Sequence, residues 1–161
     1  MTDAMLRGEG LVKRFGATTA IAGVSVSVAR EETLAIVGPS GSGKSTLLHC
    51  LAGIVRPDAG AVSLEDERID QFSEARRSAL RRSRFGFVFQ FDQLLPELPA
   101  LENVALPLML DGVPRRVAAR RASGWLARLG LTDLRARRPG ELSGGEAQRV
   151  AIGRALVGDP L

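Results

Sequence analysis

Apolar residues near the start of the chain recur with a period of two, which predicts strands. Val24, Val26 and Val28 alternate with small or polar residues, as in a strand with one buried face. Residues 11–15 are also strand-like, whereas 33–37 (TLAIV) is an apolar run of the kind found in strands covered on both faces. The same pattern predicts further strands at 61–64 and 85–89.

Longer segments show the spacing of amphipathic helices. Pro114 suits the first turn of one of them, and Val150, Ala151, Leu156 and Val157 fall at helical intervals in the last. Helices are predicted over 44–54, 73–82, 100–110, 114–129 and 146–157. Strands followed by helices in this order predict an α/β protein.

A phosphate-binding loop lies between the strand predicted at 33–37 and the helix that follows it. The run GPSGSGKST fits the pattern G-x-x-x-x-G-K-[ST], in which successive backbone N–H groups and a helix N-terminus cradle phosphates. Only Lys13 and Lys44 are lysines among the 22 basic residues, and a compact ammonium suits the β- and γ-phosphates better than a planar guanidinium. Nucleotide binding is therefore predicted for Gly38, Pro39, Ser40, Gly41, Ser42, Gly43, Lys44, Ser45 and Thr46.

A second motif, LSGGE at 142–146, opens the last predicted helix. Ser143 and Glu146 have the S-x-x-E spacing of a capping box. That cap does not require Gly144 and Gly145, each of which costs conformational entropy. Two glycines at a helix N-terminus would let another group approach the backbone, so a second phosphate contact is predicted here.

Composition sets limits on the class of protein. The 161 residues suggest one domain, and 45% apolar with 25% charged residues is typical of a globular protein. No apolar run is long enough to span a membrane, and no secretory signal pattern is seen. Clustered arginines and a net charge of +4 indicate either a solvated surface or contact with a polyanion or lipid headgroup. Cys50 is expected to pack in the core.

Four segments resemble the nucleotide-binding subunits of ABC transporters, and they occur in that family's order. They are VKRF at 12–15, GPSGSGKST at 38–46, FVFQ at 87–90 and LSGGEAQRVAIGRAL at 142–156. The stretch 87–110 and the LSGGE form look like the lipoprotein-release and macrolide-export branch. The resemblance covers essentially the whole chain. It implies a P-loop ABC-cassette fold with an N-terminal antiparallel β region and a helical subdomain at about 91–143, all within one partial domain over 1–161.

The resemblance also implies roles for individual residues. Phe15 matches the aromatic residue that stacks on adenine, and Gln90 matches a glutamine that reaches the metal. Ser45 would ligate Mg²⁺ together with Gln90, so the implied cofactors are ATP and Mg²⁺. The signature residues would contact the ATP of the opposite subunit, which implies a head-to-tail homodimer or paired cassette; they are Leu142, Ser143, Gly144, Gly145 and Glu146.

The sequence departs from the family pattern at three places. Glu146 replaces a common glutamine, and Glu31 stands where the family usually has glycine. The third is the end of the sequence at Leu161, just after Asp159-Pro160, where the family continues into the strand with its metal-binding aspartate and catalytic glutamate. We therefore expect an incomplete core sheet, strand 33–37 without its usual partners, no catalytic base and doubtful autonomous activity. His49 is expected to be a packing or surface residue, not the family's switch histidine.

The function implied is that of an ATPase subunit that couples ATP binding and hydrolysis to movement of an integral membrane permease. Such a subunit would be cytoplasmic and peripheral on the inner face of the cell membrane, and no nucleic acid partner is expected. Two alternatives are a soluble ABC-type ATPase outside transport and a non-catalytic nucleotide-binding fragment. The transported substrate is not encoded in these motifs, since the membrane subunits select it in this family.

Overall fold

The computed structural model describes residues 4–90 and 93–161, which divide into two compact units, Met1–Ser78 and Ala79–Leu161. The strands are Ala4–Phe15 (β1), Thr18–Ala29 (β2), Ala59–Leu64 (β3) and Glu67–Arg68 (β4). The helices are Lys44–Leu51 (α1), Glu74–Arg84 (α2), Ala100–Leu110 (α3), Arg115–Arg128 (α4) and Gly144–Leu156 (α5), with 3-10 turns at Thr132–Leu134 and Pro139–Glu141.

The first unit is built on a four-stranded antiparallel sheet with strand order β2-β1-β3-β4. A tight hairpin joins β1 to β2, where Phe15 pairs with Thr18. Leu11 and Val62 are fully buried in this unit, and burial of such side chains stabilises a fold by about 1.5–3 kcal/mol each. The predicted N-terminal antiparallel β region is confirmed.

The helix α1 packs closely on this sheet because a glycine faces it. A Cβ atom at Gly8 would lie 2.9 Å from Leu51 Cδ2 and 2.7 Å from Leu11 Cδ1. Glycine therefore lets β1 and α1 approach each other, and this approach positions the segment that leads into α1.

The second unit has a core of apolar side chains from α3, α4 and α5. Ala118, Ala122 and Leu126 recur every four residues on α4 and are all buried, so they form one apolar face of this helix. Val104 of α3 and Val150 of α5 are also fully buried in this cluster. Small alanines let the helices pack closely, while the arginines of α4 remain exposed.

Two strand predictions were wrong. Residues 33–37 and 85–89 belong to no ladder among the described residues, and Val37 is 87% exposed. A strand needs partners for its backbone N–H and C=O groups, and periodicity cannot supply them. The strand prediction for 33–37 was therefore wrong, but the expectation that this segment lacks its usual neighbouring strands agrees with the described residues. The rings of Phe85, Phe87 and Phe89 still stack along one side of their segment, at centroid distances of 6.0 and 5.9 Å.

The other element predictions differ mainly at their ends. The strand predicted at 11–15 begins at Ala4, because antiparallel pairing with both β2 and β3 extends it. The helix predicted to start at Glu146 starts at Gly144, and α1 ends at Leu51 instead of 54. Pro114 is the N-cap residue of α4 and not a residue of its first turn.

Candidate functional site

The glycine-rich loop leads directly into the N-terminus of α1. Gly43 is the N-cap residue in the left-handed conformation, with φ of 86°, and no side chain caps the helix. The N–H groups of the first turn therefore remain available to a ligand, and the helix dipole adds partial positive charge. The loop residues from Gly38 to Ser42 are exposed, as is Ser45, while Lys44 and Thr46 are half-buried.

The side chain of Lys44 folds back onto the loop. Its ammonium donates to the carbonyl oxygens of Gly38 at 2.9 Å and Pro39 at 2.6 Å. A third and longer hydrogen bond from the same ammonium reaches Ser42 Oγ at 3.5 Å, so each of its three donors has an acceptor within the loop.

Gly43 also fixes the position of the loop relative to β2. A Cβ atom at Gly43 would lie 2.2 Å from the carbonyl oxygen of Ala20, closer than any side chain can tolerate. Both the positive φ and this approach require glycine here. The second glycine of the motif pattern thus has a steric cause that the motif itself does not reveal.

Phe15 lies at the end of β1 with 53% of its surface exposed. The Lys13 ammonium lies 5.5 Å from the centre of the Phe15 ring, within the range of a cation–π interaction. Lys13 in turn donates to Asp58 Oδ1 at 2.9 Å. Sequence reasoning missed Lys13 and Asp58 as neighbours of Phe15. The rarity of lysine in this chain could have pointed to Lys13, whereas no feature of the sequence points to Asp58.

Gln90 is exposed at the end of the segment 85–89, immediately before two residues outside the described set. The chain after it is held by α3. Asn103 is fully buried; its Oδ1 accepts from Leu95 N at 2.8 Å and its Nδ2 donates to Leu98 O at 2.8 Å. Asn103 therefore pins the segment that follows Gln90, a role that the sequence did not indicate.

The capping box predicted at α5 is present. Glu146 N donates to Ser143 Oγ at 3.4 Å, and Ser143 N donates to Glu146 Oε2 at 2.7 Å. The hydrogen bonds from the backbone and hydroxyl of Ser143 lower the pKa of Glu146 below its ordinary value. Leu142 is half-buried and packs against the core of the second unit.

Gly144 and Gly145 are not required by the internal structure. Neither has a positive φ, and a Cβ at Gly144 would meet nothing within 4 Å. At Gly145 it would meet only Arg149 Nη1, at 3.9 Å. Both residues are exposed at the helix N-terminus, so the backbone is bare towards solvent.

The predicted site residues thus fall into two groups. Phe15 and the loop 38–46 belong to the first unit, and Gln90 and the residues 142–146 belong to the second. Within residues 4–90 and 93–161, no group of three or more His, Cys, Asp or Glu side chains could hold a metal ion. His49 is half-buried on α1.

A cavity of about 530 Å³ in the second unit lies against α4, and none of its lining residues is a predicted site residue. The side chain of Arg128 lies over Trp125, 5.0 Å from the ring centre. The residues that line the cavity are Val117, Arg120, Arg121, Gly124, Trp125, Arg128, Val157 and Asp159. The two interpretations of the arginine clusters, a solvated surface and contact with a polyanion or lipid headgroup, stay predictions.

Comparison with known proteins decides the family. The family profile described as "ABC transporter" matches residues 21–161. This chain belongs to the ABC transporter family. It is an ATP-binding domain of that family, whose members are ATPases, and its fold is that of the ABC cassette.

Relatives and solved structures agree with this assignment. The chain is 46% identical to the lipoprotein-releasing system ATP-binding protein LolD of Bacteroides thetaiotaomicron over 97% of the chain and 72% of that relative. It is 47% identical to LolD of Hydrogenovibrio crunogenus over 99% of the chain and 71% of that relative. Among solved structures, the ATP-binding cassette MJ0796 in a dimeric post-hydrolysis state bound to ADP and Pi matches with a TM-score of 0.88 and 34% identity, covering 97% of this chain and 71% of that one.

The departure at Glu31 has a local structural consequence in this ABC-family chain. Glu31 adopts the left-handed conformation with φ of 61°, a region in which glycine is favoured. The neighbouring carboxylate stabilises the turn, because Glu32 accepts a hydrogen bond from Ala29 N at 2.7 Å. No described helix, in 4–90 or in 93–161, is long and apolar enough to cross a membrane.

Proposed function

We propose that this chain is the ATP-binding subunit of a transporter of the lipoprotein-release type and binds ATP-Mg²⁺ between two head-to-tail subunits. The observation that carries this proposal is the pairing of an uncapped phosphate loop at Gly38–Thr46 with a bare Gly144–Gly145 helix start in one chain. The LolD relatives and the dimeric cassette structure support the transport class and the pairing.

The loop contributes most of the phosphate binding. The first-turn N–H groups and the loop backbone would surround the phosphates, and Lys44 would exchange the carbonyls of Gly38 and Pro39 for β- and γ-phosphate oxygens. Because the loop carbonyls are weaker partners for an ammonium than a charged phosphate, the exchange favours the bound state.

Magnesium would be bound mainly through the nucleotide. Mg²⁺ prefers oxygen ligands and commonly keeps several waters, with few ligands from the protein. The exposed Ser45 hydroxyl at the start of α1 and the exposed Gln90 amide are oxygen donors of this kind. The metal would neutralise phosphate charge, and Ser45 and Gln90 would orient the phosphates.

The residues Leu142 to Glu146 would bind the ATP held by the other subunit. The capping box holds Ser143 in place, and the bare backbone of Gly144 and Gly145 leaves room for a γ-phosphate at the positive end of α5. Each subunit therefore supplies half of two shared sites, and ATP closes the dimer.

In a transporter, this closure would move an integral membrane permease. A subunit with this role is cytoplasmic and sits at the inner face of the membrane through its permease. We infer that the segment after Gln90, fixed by Asn103, and the helices of the second unit face that partner.

The test is nucleotide binding by the chain and its Lys44→Ala variant, measured with a fluorescent ATP analogue with and without Mg²⁺. We expect at least a tenfold loss of affinity for Lys44→Ala, equivalent to about 1.4 kcal/mol. Arg116→Ala removes an exposed positive charge from α4 and serves as the matched control, with unchanged affinity expected. Equal losses in both variants would show only a general charge effect and would contradict the proposed site.

A further inference from the structure

We infer that Lys13 and Asp58 form a positioning pair that holds Phe15 in place as a preformed surface for the nucleobase. This inference rests on the proposed function, in which Phe15 stacks on adenine. It concerns two residues to which the family resemblance gives no role, and it gives each a separate task. Lys13 lies within the VKRF segment, and Asp58 lies outside the four segments.

The geometry of β1 brings Lys13 and Phe15 to the same side of the sheet. The pairing with β2 changes register between Leu11 and Val12 and again between Lys13 and Arg14. The Lys13 ammonium nevertheless lies 5.5 Å from the centre of the Phe15 ring, so the two side chains are on the same side. Exposure increases along the strand: Leu11 is fully buried, the Lys13 side chain is 16% exposed and Phe15 is 53% exposed. Lys13 therefore lies between the core and the exposed ring.

Asp58 ties this end of β1 to the turn before β3. Its Oδ1 accepts from Lys13 Nζ at 2.9 Å, and its Oδ2 accepts from Arg14 N at 2.7 Å. Its own N–H donates to Val12 O at 2.8 Å. Val12, Lys13 and Arg14 are thus all hydrogen-bonded to Asp58, so the backbone that carries the Phe15 ring cannot rotate freely.

The charge on Asp58 is part of this arrangement. The hydrogen bond from Lys13, followed by that from the Arg14 backbone, lowers the pKa of Asp58 below its ordinary value. The carboxylate therefore stays ionised at neutral pH and holds the ammonium within 5.5 Å of the Phe15 ring centre.

A preformed ring lowers the cost of binding. An exposed aromatic side chain loses rotamer freedom when a base stacks on it, and a ring that is already held loses less. The lysine ammonium is a compact charge that lies over the ring at 5.5 Å, whereas a planar guanidinium stacks on aromatic faces and would compete with the base. This difference explains a lysine at position 13 in a chain whose basic residues are otherwise arginine, apart from Lys44.

The experiment compares the affinities of the chain for ATP and for inorganic tripolyphosphate, which has no base. Phe15→Ala should weaken ATP binding about tenfold, as expected for loss of one stacked base. Lys13→Met should weaken it about threefold, and neither change should alter tripolyphosphate binding. In the Phe15→Ala background, Lys13→Met should have no further effect on ATP, because the pair acts only through the ring.

The outcomes separate this inference from the proposed function. If Phe15→Ala changes ATP binding no more than tripolyphosphate binding, the stacking role fails and the positioning role fails with it. If Phe15→Ala behaves as expected but Lys13→Met weakens the binding of ATP and tripolyphosphate equally, or weakens the binding of neither, only the positioning pair is refuted. Asp58→Asn, which keeps an acceptor for Arg14 N but loses the charge, provides the same readout should Lys13→Met fail to fold. It should also weaken ATP selectively.

Discussion

Replacing Gly144 and Gly145 by alanine separates the stability of α5 from its proposed contact with a second nucleotide. Both glycines lie in the first helical turn with negative φ, and an added Cβ meets no atom closer than 3.9 Å at either position. Internal structure therefore accepts alanine without strain. A γ-phosphate bound against the backbone would not accept it.

The size of the stability effect follows from helix propensity. Glycine is less favourable than alanine by roughly 0.5–1 kcal/mol inside a helix, and first-turn positions should give the lower end of this range. The double variant should therefore be about 1 kcal/mol more stable than the parent chain, roughly a fivefold change in the folding equilibrium constant.

The assay combines urea unfolding with sedimentation velocity in the presence and absence of ATP. We expect a higher unfolding midpoint for the double variant together with a loss of ATP-dependent dimerisation. Gly153→Ala is a contrasting variant in the same helix, because its Cβ would lie 3.2 Å from Leu129 Cδ1 and 3.3 Å from Val104 Cγ2. This crowding should offset the gain in helix propensity, so Gly153→Ala should stabilise the chain less than the changes at Gly144 and Gly145. If the double variant is stabilised but still dimerises with ATP as the parent does, the signature contact is refuted.

Two further changes test the positions of the site elements. In urea unfolding, Gly43→Ala should lower the free energy of unfolding by about 1–3 kcal/mol more than Gly23→Ala does. Both glycines have positive φ, but only at Gly43 would an added Cβ approach a backbone oxygen, at 2.2 Å. Equal losses of stability would show that β2 does not position the loop. Asn103→Ala should destabilise the chain by about 1–3 kcal/mol for each buried group left unpaired, and should speed hydrogen exchange at the Leu95 amide, its partner at 2.8 Å. Unchanged exchange at Leu95 would contradict the role given to Asn103.

The local features of the site were predictable because each depends on residues close together in the chain. The loop before α1 requires particular glycines, a lysine and a hydroxyl within nine residues, and the capping box of α5 requires Ser143 and Glu146 three apart. The buried positions Val150 and Ala151 of α5 follow from the 3.6-residue period. These features need no partner from elsewhere, so the sequence determined them.

Tertiary structure decided everything that depends on a distant partner. The segments 33–37 and 85–89 have the composition of strands but no ladder among the described residues, because hydrogen-bond partners are not encoded locally. Asp58 approaches Lys13 across 45 positions, and Gly43 approaches Ala20 only because α1 packs on β2. Nucleotide binding could thus be predicted from neighbouring residues, whereas the placement of Phe15 and of the glycine-rich loop required the folded sheet.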